Sequence, residues 1–175
     1  MTSVIRYTVK CLIWEITKFL ISKIKRNALI QPYMHSKEII IIEEILKKSK
    51  PKMCLEWGIG GSTLYFPRFL EENAKWIAIE HNKEWFNKIN RLIAEESNVT
   101  IYYIPPNHLP WTDEYNDGAF SDLKDYIEFP TKLNEKFDFI LIDGRARKHC
   151  LVLAFKLLKN NGICLLYTSP SPRDR

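Results

Sequence analysis

Apolar and polar positions recur along this chain in two periods, and the switches between them mark out its elements. From Val4 to Lys25 the apolar residues Ile5, Val9, Leu12, Ile13, Ile16, Phe19, Leu20 and Ile24 fall at helical spacing, with lysines largely on the other face. A second helix is expected from Ser36, as its N-cap, through Ile39 and Ile42 to Leu46. Lysines in its last turn and Pro51 just beyond are stop signals. Short continuous apolar runs then alternate with helical patterns. Strands are expected at Met53–Trp57, Trp76–Glu80, Val99–Ile104, Phe137–Ile142 and Gly162–Leu166. Helices are expected from Ser62 to Glu72, Lys83 to Glu95 and Arg147 to Leu158, the first of them disturbed by Pro67. Strands that alternate with helices build βαβ units, whose parallel sheet is covered on both faces.

The pattern predicts an α/β chain: a Rossmann-like, doubly wound, mainly parallel sheet in three α/β/α layers, preceded by a helical segment. Residues 1–35 form that basic amphipathic segment, 36–166 the sheet domain, and 167–175 a tail without periodicity. The tail, Tyr167-Thr-Ser-Pro-Ser-Pro-Arg-Asp-Arg175, resembles translated cloning or adapter sequence, which does not enter fold reasoning. Between the third and fourth strands, residues 105–136 break the rhythm with four prolines, several aromatics and many carboxylates. At most a short helix near Ser121–Ile127 fits there. An insertion of this length leaves a parallel sheet at its carboxyl edge, where ligands bind, so it is expected to act as a lid or substrate-facing loop.

Charge and cysteine content change the picture little. The net charge of +5 resides in residues 1–26, where six basic side chains face Glu15 alone, while the remainder holds 20 basic and 20 acidic residues. The domain body therefore offers no electrostatic case for a nucleic acid. The basic helix either packs on the domain or a partner, or lies on an anionic membrane surface; a transit peptide is a third reading. No apolar run in it reaches the roughly 18 residues that span a bilayer. Cys11, Cys54, Cys150 and Cys164 show no metal-ligand spacing, so no metal is expected, and a reducing, cytoplasmic setting suits them. Asn98-Val99-Thr100 fits a glycosylation triplet but reads as a loop entering a strand.

The chemistry lies where strands end. Cys54-Leu55-Glu56-Trp57-Gly58-Ile59-Gly60-Gly61-Ser62-Thr63 is a strand that breaks into a glycine-rich turn and then a helix. Such a turn lets a ligand approach the backbone at a helix start, which marks a nucleotide-type pocket. Glu56, Glu80 and Asp143 are expected on one edge of the sheet. Glu80 stands 22 residues after Gly58, the distance at which an acid takes ribose hydroxyls in doubly wound folds. Thr63 replaces the third glycine of a dinucleotide fingerprint. The negative charge of Glu56 would repel a pyrophosphate and attract a sulfonium or ammonium group.

Glu56-Trp57-Gly58-Ile59-Gly60-Gly61-Ser62-Thr63, Ile77-Ala78-Ile79-Glu80-His81, Phe137-Asp138-Phe139-Ile140-Leu141-Ile142-Asp143-Gly144 and the lead into the fifth strand at Asn160-Asn161-Gly162 occur in the order of a family's motifs. Together they resemble class I S-adenosylmethionine (SAM)-dependent methyltransferases, in a branch marked by EWGxGGST and DGRAR. The resemblance implies SAM as cofactor and methyl transfer to an oxygen or nitrogen of an unidentified acceptor. It implies cofactor contacts at Glu56, Gly58, Gly60, Gly61, Ser62, Thr63 and Glu80, with the glycines along the methionine moiety and Glu80 on the ribose. Asp143 would serve as base, with His108 and His149 as further candidates, and Arg145 and Arg147 could clamp an anionic acceptor. The family's sheet has seven strands, so the resemblance also implies a chain cut short after the fifth. Ile104-Pro105-Pro106-Asn107 departs from the family's acidic pattern for adenine. The competing readings are a nicotinamide- or other nucleotide-dependent oxidoreductase, a binding module that keeps the fold without catalysis, and an inactive fragment.

Overall fold

The computed structural model describes residues 31–93, 98–109 and 117–168. The expected helix at Val4–Lys25 and most of the tail lie outside them. Helix α1 (Ser36–Ser49) is followed by β1 (Met53–Trp57), α2 (Gly61–Tyr65) with a 3₁₀ turn at Phe66–Phe69, and β2 (Lys75–Glu80). Then come α3 (Lys83–Ile93), β3 (Val99–Tyr103), α4 (Lys124–Glu128) with a 3₁₀ turn at Phe129–Leu133, β4 (Phe137–Ile142), α5 (Arg147–Leu157) and β5 (Leu158–Leu166). The five strands are all parallel, in the order β3-β2-β1-β4-β5. This is the expected Rossmann-like arrangement.

Both faces are packed. On one, Ile42 and Leu46 of α1, Leu64 of α2, Phe66, and Ile89 and Ile93 of α3 meet Cys54, Trp76, Ala78, Phe139 and Leu141 of the strands. On the other, Leu123, Tyr126 and Ile127 join Ala146, Cys150, Ala154 and Leu157 over Leu55, Trp57, Ile77, Ile79 and Ile142. Side chains of successive strand residues point to opposite faces, which is why buried parallel strands read as unbroken apolar runs.

Three local features differ from the sequence reading. His35, not Ser36, caps α1: its Nδ1 accepts from the Lys37 N–H at 3.3 Å, and Glu38 Oε2 accepts the His35 N–H at 2.8 Å. The expected helix from Ser62 to Glu72 is one short helix and a 3₁₀ turn, because Pro67 lacks the N–H that would continue it. β5 begins at Leu158, earlier than the expected Gly162. A bulge between the pairs Phe137–Leu158 and Phe139–Ile163, with Asn161 at a positive φ of 65°, hides that start from a period-two reading. The short helix expected near Ser121–Ile127 is present as α4. Leu123, Tyr126 and Ile127 are core residues, so α4 and its 3₁₀ turn form part of the layer crossing from edge strand β3 to β4. The Asn107 carboxamide fastens this crossover to α4 by accepting the Asp125 N–H and donating to its carboxylate, each at 3.0 Å.

Among the described residues no helix is long and apolar enough to cross a membrane. Three thiols there are free. Burial pushes Cys164 up to about 11 and raises Cys54 and Cys150 further, so these sulfurs stay protonated and behave as small apolar groups.

Candidate functional site

Strand register decides which residues share the carboxyl edge. Trp57 pairs with Ile79 of β2 and Ile142 of β4, so the next residue on each strand, Gly58, Glu80 and Asp143, forms one row. Two backbone bonds close the row: Gly58 N–H to Ile79 O at 2.8 Å and Asp143 N–H to Trp57 O at 2.9 Å. Glu56 is not in it. It lies two residues inside the sheet, opposite Ala78 and Leu141. The expected row of three acids is therefore two acids and a glycine.

Glu56 holds the turn from behind. Its carboxyl is wholly buried and accepts from Ser62 Oγ at 2.5 Å, Thr63 Oγ1 at 2.8 Å and Trp76 Nε1 at 2.8 Å. Thr63 Oγ1 in turn accepts the Gly60 N–H at 2.9 Å, so one carboxyl fixes both the turn and the first residues of α2. Burial raises its pKa to about 8; the three donors oppose the rise and the charge of Asp143 adds to it. Glu56 is thus mostly a neutral acid at pH 7. The argument that its charge repels pyrophosphate does not survive this placement. A different observation takes its place. The helix after the turn is five residues long, and so short a helix aligns few peptide dipoles toward an anion.

Glu80 ties the turn to β2. It is 1% exposed, with Oε2 accepting the Ile59 N–H at 3.2 Å and Oε1 accepting the His81 and Asn82 N–H at 3.0 and 2.8 Å. A carboxylate has about four acceptor positions, so among the described residues Oε2 keeps one for a further donor. Asn82 then caps α3, its Oδ1 accepting the Trp85 N–H at 2.9 Å. Trp85 returns to the turn and donates from Nε1 to Ile59 O at 2.5 Å. The sequence reading missed Asn82, Trp76 and Trp85. The signal for the first was present: an Asn directly before a helical pattern, two residues past a strand-end acid.

The glycines do different work. Gly58 has φ +89°, and a Cβ there would lie 2.6 Å from the Gly144 Cα. Gly58→Ala is expected to cost about 3 kcal/mol, from a left-handed conformation and an unyielding backbone neighbour. A urea midpoint measured for both proteins checks this. A Cβ on Gly61 would lie 2.0 Å from the Gln31 carbonyl oxygen, so its bareness serves the chain's own packing. Gly60 alone is open: among the described residues the nearest atom to its would-be Cβ is Trp85 Cζ2, at 4.0 Å. Among the described residues, Gly60 and the Glu80 carboxylate therefore lie on either side of the Ile59 N–H that Glu80 accepts.

The remaining candidates are divided. Asp143 is half-buried at the end of β4, near enough to Glu56 for its charge to be felt there. Arg145 is 6% exposed, so it is not a solvated residue. Arg147 is engaged: its Nε and backbone N–H donate to the Asp117 carboxylate at 3.0 and 2.9 Å. His108 is 55% exposed and lies 3.3 Å from Asp122. The His149 ring packs against Phe120, 5.6 Å between centroids. Among the described residues no cluster of three His, Cys, Asp or Glu side chains gathers to hold a metal ion.

Solved structures share the overall fold. The O-methyltransferase TomG of Streptomyces achromogenes, solved with SAM, superimposes with a TM-score of 0.57 at 15% identity over 76% of this chain and 56% of its own. An O-methyltransferase of Bacillus cereus, solved with S-adenosylhomocysteine (SAH), gives 0.58 at 16% identity over 77% and 58%. The methyltransferase PaMTH1 of Podospora anserina, also SAH-bound, gives 0.52 at 18% over 71% and 49%. The chain shares its fold with these methyltransferases. This chain spans less than two thirds of the length of each of these three proteins. No family model matches the sequence, and no curated protein matches it.

Proposed function

We propose that this chain carries the cofactor site of a SAM-dependent methyltransferase acting on an oxygen or nitrogen nucleophile. The observation that carries the reading is Glu80: a buried carboxylate at the end of β2 that fixes the glycine turn through Ile59 and keeps an acceptor position beside open Gly60. The same fold holds SAM or SAH in the solved proteins it resembles. Glu80 would take the ribose hydroxyls, and Gly58 and Gly60 would border the methionine moiety. Glu56, Ser62 and Thr63 would act through the turn that they hold. SAM, when bound, supplies an electrophilic methyl group on a sulfonium. The chain's part is then to align the acceptor in line with that carbon and to receive the acceptor's proton. Asp143, in the same row as Glu80, is the residue proposed for the proton. A reducing, cytoplasmic setting belongs to this reading, supported by three free, protonated thiols. A membrane-surface contact by residues 1–26 is proposed from their charge and apolar periodicity alone.

The competing dinucleotide reading needs a phosphate site at the turn, and the five-residue α2 argues against one. Calorimetric titration of the purified chain with SAH and, separately, with NAD tests the choice. One-site binding of SAH with no heat from NAD is expected. Binding of NAD without SAH would overturn the proposal.

A further inference from the structure

We infer that Trp85 is the positioning residue of the cofactor turn, setting the peptide that the methionine end of SAM must pass. The inference rests on the SAM reading above. Both polar groups of Ile59 are held from the β2 side: its N–H by Glu80 Oε2 at 3.2 Å and its C=O by Trp85 Nε1 at 2.5 Å. Those two bonds fix the peptide planes on either side of Ile59, between Gly58, whose φ is +89°, and Gly60, whose φ is 177°. A glycine has no side chain to anchor its own backbone, so a turn built on Gly58, Gly60 and Gly61 needs outside restraint to hold one shape.

Trp85 is itself restrained. Its backbone N–H donates to the Asn82 side chain at 2.9 Å, the Asn82 N–H reaches Glu80 Oε1 at 2.8 Å, and Lys88 Nζ sits 4.6 Å over the indole. Glu80, Asn82, Trp85 and Ile59 therefore close a ring of hydrogen bonds joining the ribose acid to the turn. The indole also stands at Gly60, its Cζ2 4.0 Å from where a Gly60 Cβ would be. One side chain thus does two things for a ligand at Gly60: it holds the backbone, and it forms the wall beside it. Both act at the turn itself, and the indole reaches Glu80, proposed for the nucleoside end, only through Ile59 and Asn82.

This division makes the role separable from plain structural support. Loss of the indole N–H leaves the Ile59 carbonyl without that donor and frees the turn. A methionine-end ligand should suffer and a nucleoside-end ligand should not. The probes are SAH and 5′-methylthioadenosine, which keeps the nucleoside thioether and lacks the amino-acid chain. Each is titrated calorimetrically into wild type, Trp85→Phe and Trp85→His, with a thermal melt of every protein. In Trp85→Phe, SAH affinity is expected to fall about tenfold, the scale for one buried carbonyl left unpaired, with methylthioadenosine within about twofold of wild type. Trp85→His restores a ring N–H and should recover part of the SAH affinity; it also carries the comparison if the phenyl variant does not fold. An equal loss for both ligands would mean Trp85 only supports the fold, and unchanged SAH affinity would mean it does not set the turn. Either result overturns the inference while leaving the SAM reading intact. Wild type that binds neither ligand would overturn both.

Discussion

Replacing Glu80 by glutamine is expected to weaken SAH binding about 100-fold, and replacing it by alanine to abolish binding and destabilise the chain. Three buried or half-buried backbone N–H groups converge on this carboxylate, from Ile59, His81 and Asn82. Alanine leaves all three without that acceptor. At about 1–3 kcal/mol for each buried donor left unsatisfied, a loss of roughly 3–5 kcal/mol in stability follows. Alanine alone therefore cannot separate a site from a scaffold. Glutamine keeps the shape and one acceptor oxygen but brings an NH₂ where an oxygen stood, so the fold should survive at reduced stability. The hydrogen bond from a ribose hydroxyl to the remaining acceptor position of Oε2 is lost together with the charge, which sets the 100-fold scale. Calorimetry on the glutamine variant, held below its melting temperature, reads this directly. SAH affinity within a few-fold of wild type would place the ribose elsewhere.

The second large effect concerns Glu56 and pH. Its carboxyl has an ordinary value of 4.5 and is raised to about 8 in the folded chain, chiefly by burial. The folded state thus holds a proton that the unfolded state releases above 4.5. Stability from this group is fully present below the unfolded value and is lost as pH rises through the folded one. Between pH 5 and pH 9 the wild type should lose several kcal/mol, roughly 3–5, from this residue alone. Most carboxylates in ion pairs give the opposite slope. Glu56→Gln removes the titration while keeping an oxygen for the Trp76 N–H, and the Ser62 and Thr63 hydroxyls can rotate to meet the amide. Melting temperatures of both proteins at pH 6 and pH 9 check the sign. The wild type should fall relative to the variant as pH rises, and parallel profiles would show that Glu56 does not bind a proton in this window.

How much of this was legible in the sequence follows from which forces are local. β1 at Met53–Trp57 and β4 at Phe137–Ile142 match the pattern to the residue, because strands buried on both faces are unbroken apolar runs bounded by polar turns. Sheet class and the placement of Glu80 at a strand end follow from the same signal. What the pattern misplaced depended on pairing between distant segments. The row Gly58, Glu80 and Asp143 is set by register, and nothing local says that Glu56 falls two residues inside it. The partners of Glu56 stand 6, 7 and 20 residues away, so its neutral state could not be read beside the glycine turn. The crossover after β3 was legible in part: a short helix is expected near Ser121–Ile127 and α4 lies at Lys124–Glu128, but its packing on the sheet is not local. Its three core residues, Leu123, Tyr126 and Ile127, fit one short helix too brief to show a period. Trp85 lies inside the helical pattern of α3, and its indole N–H matters only through the fold.

The claim that a SAM cradle lies on the carboxyl edge between β1 and β2 meets its most direct test in amide NMR of the labelled chain titrated with SAH. The account predicts that the largest shifts fall on the backbone amides of Gly58, Ile59 and Gly60 and of His81 and Asn82, the groups bonded to or bordering Glu80. Shifts concentrated instead on the outer face of α3, around the groove lined by Glu84, Asn87, Lys88 and Arg91, would contradict it.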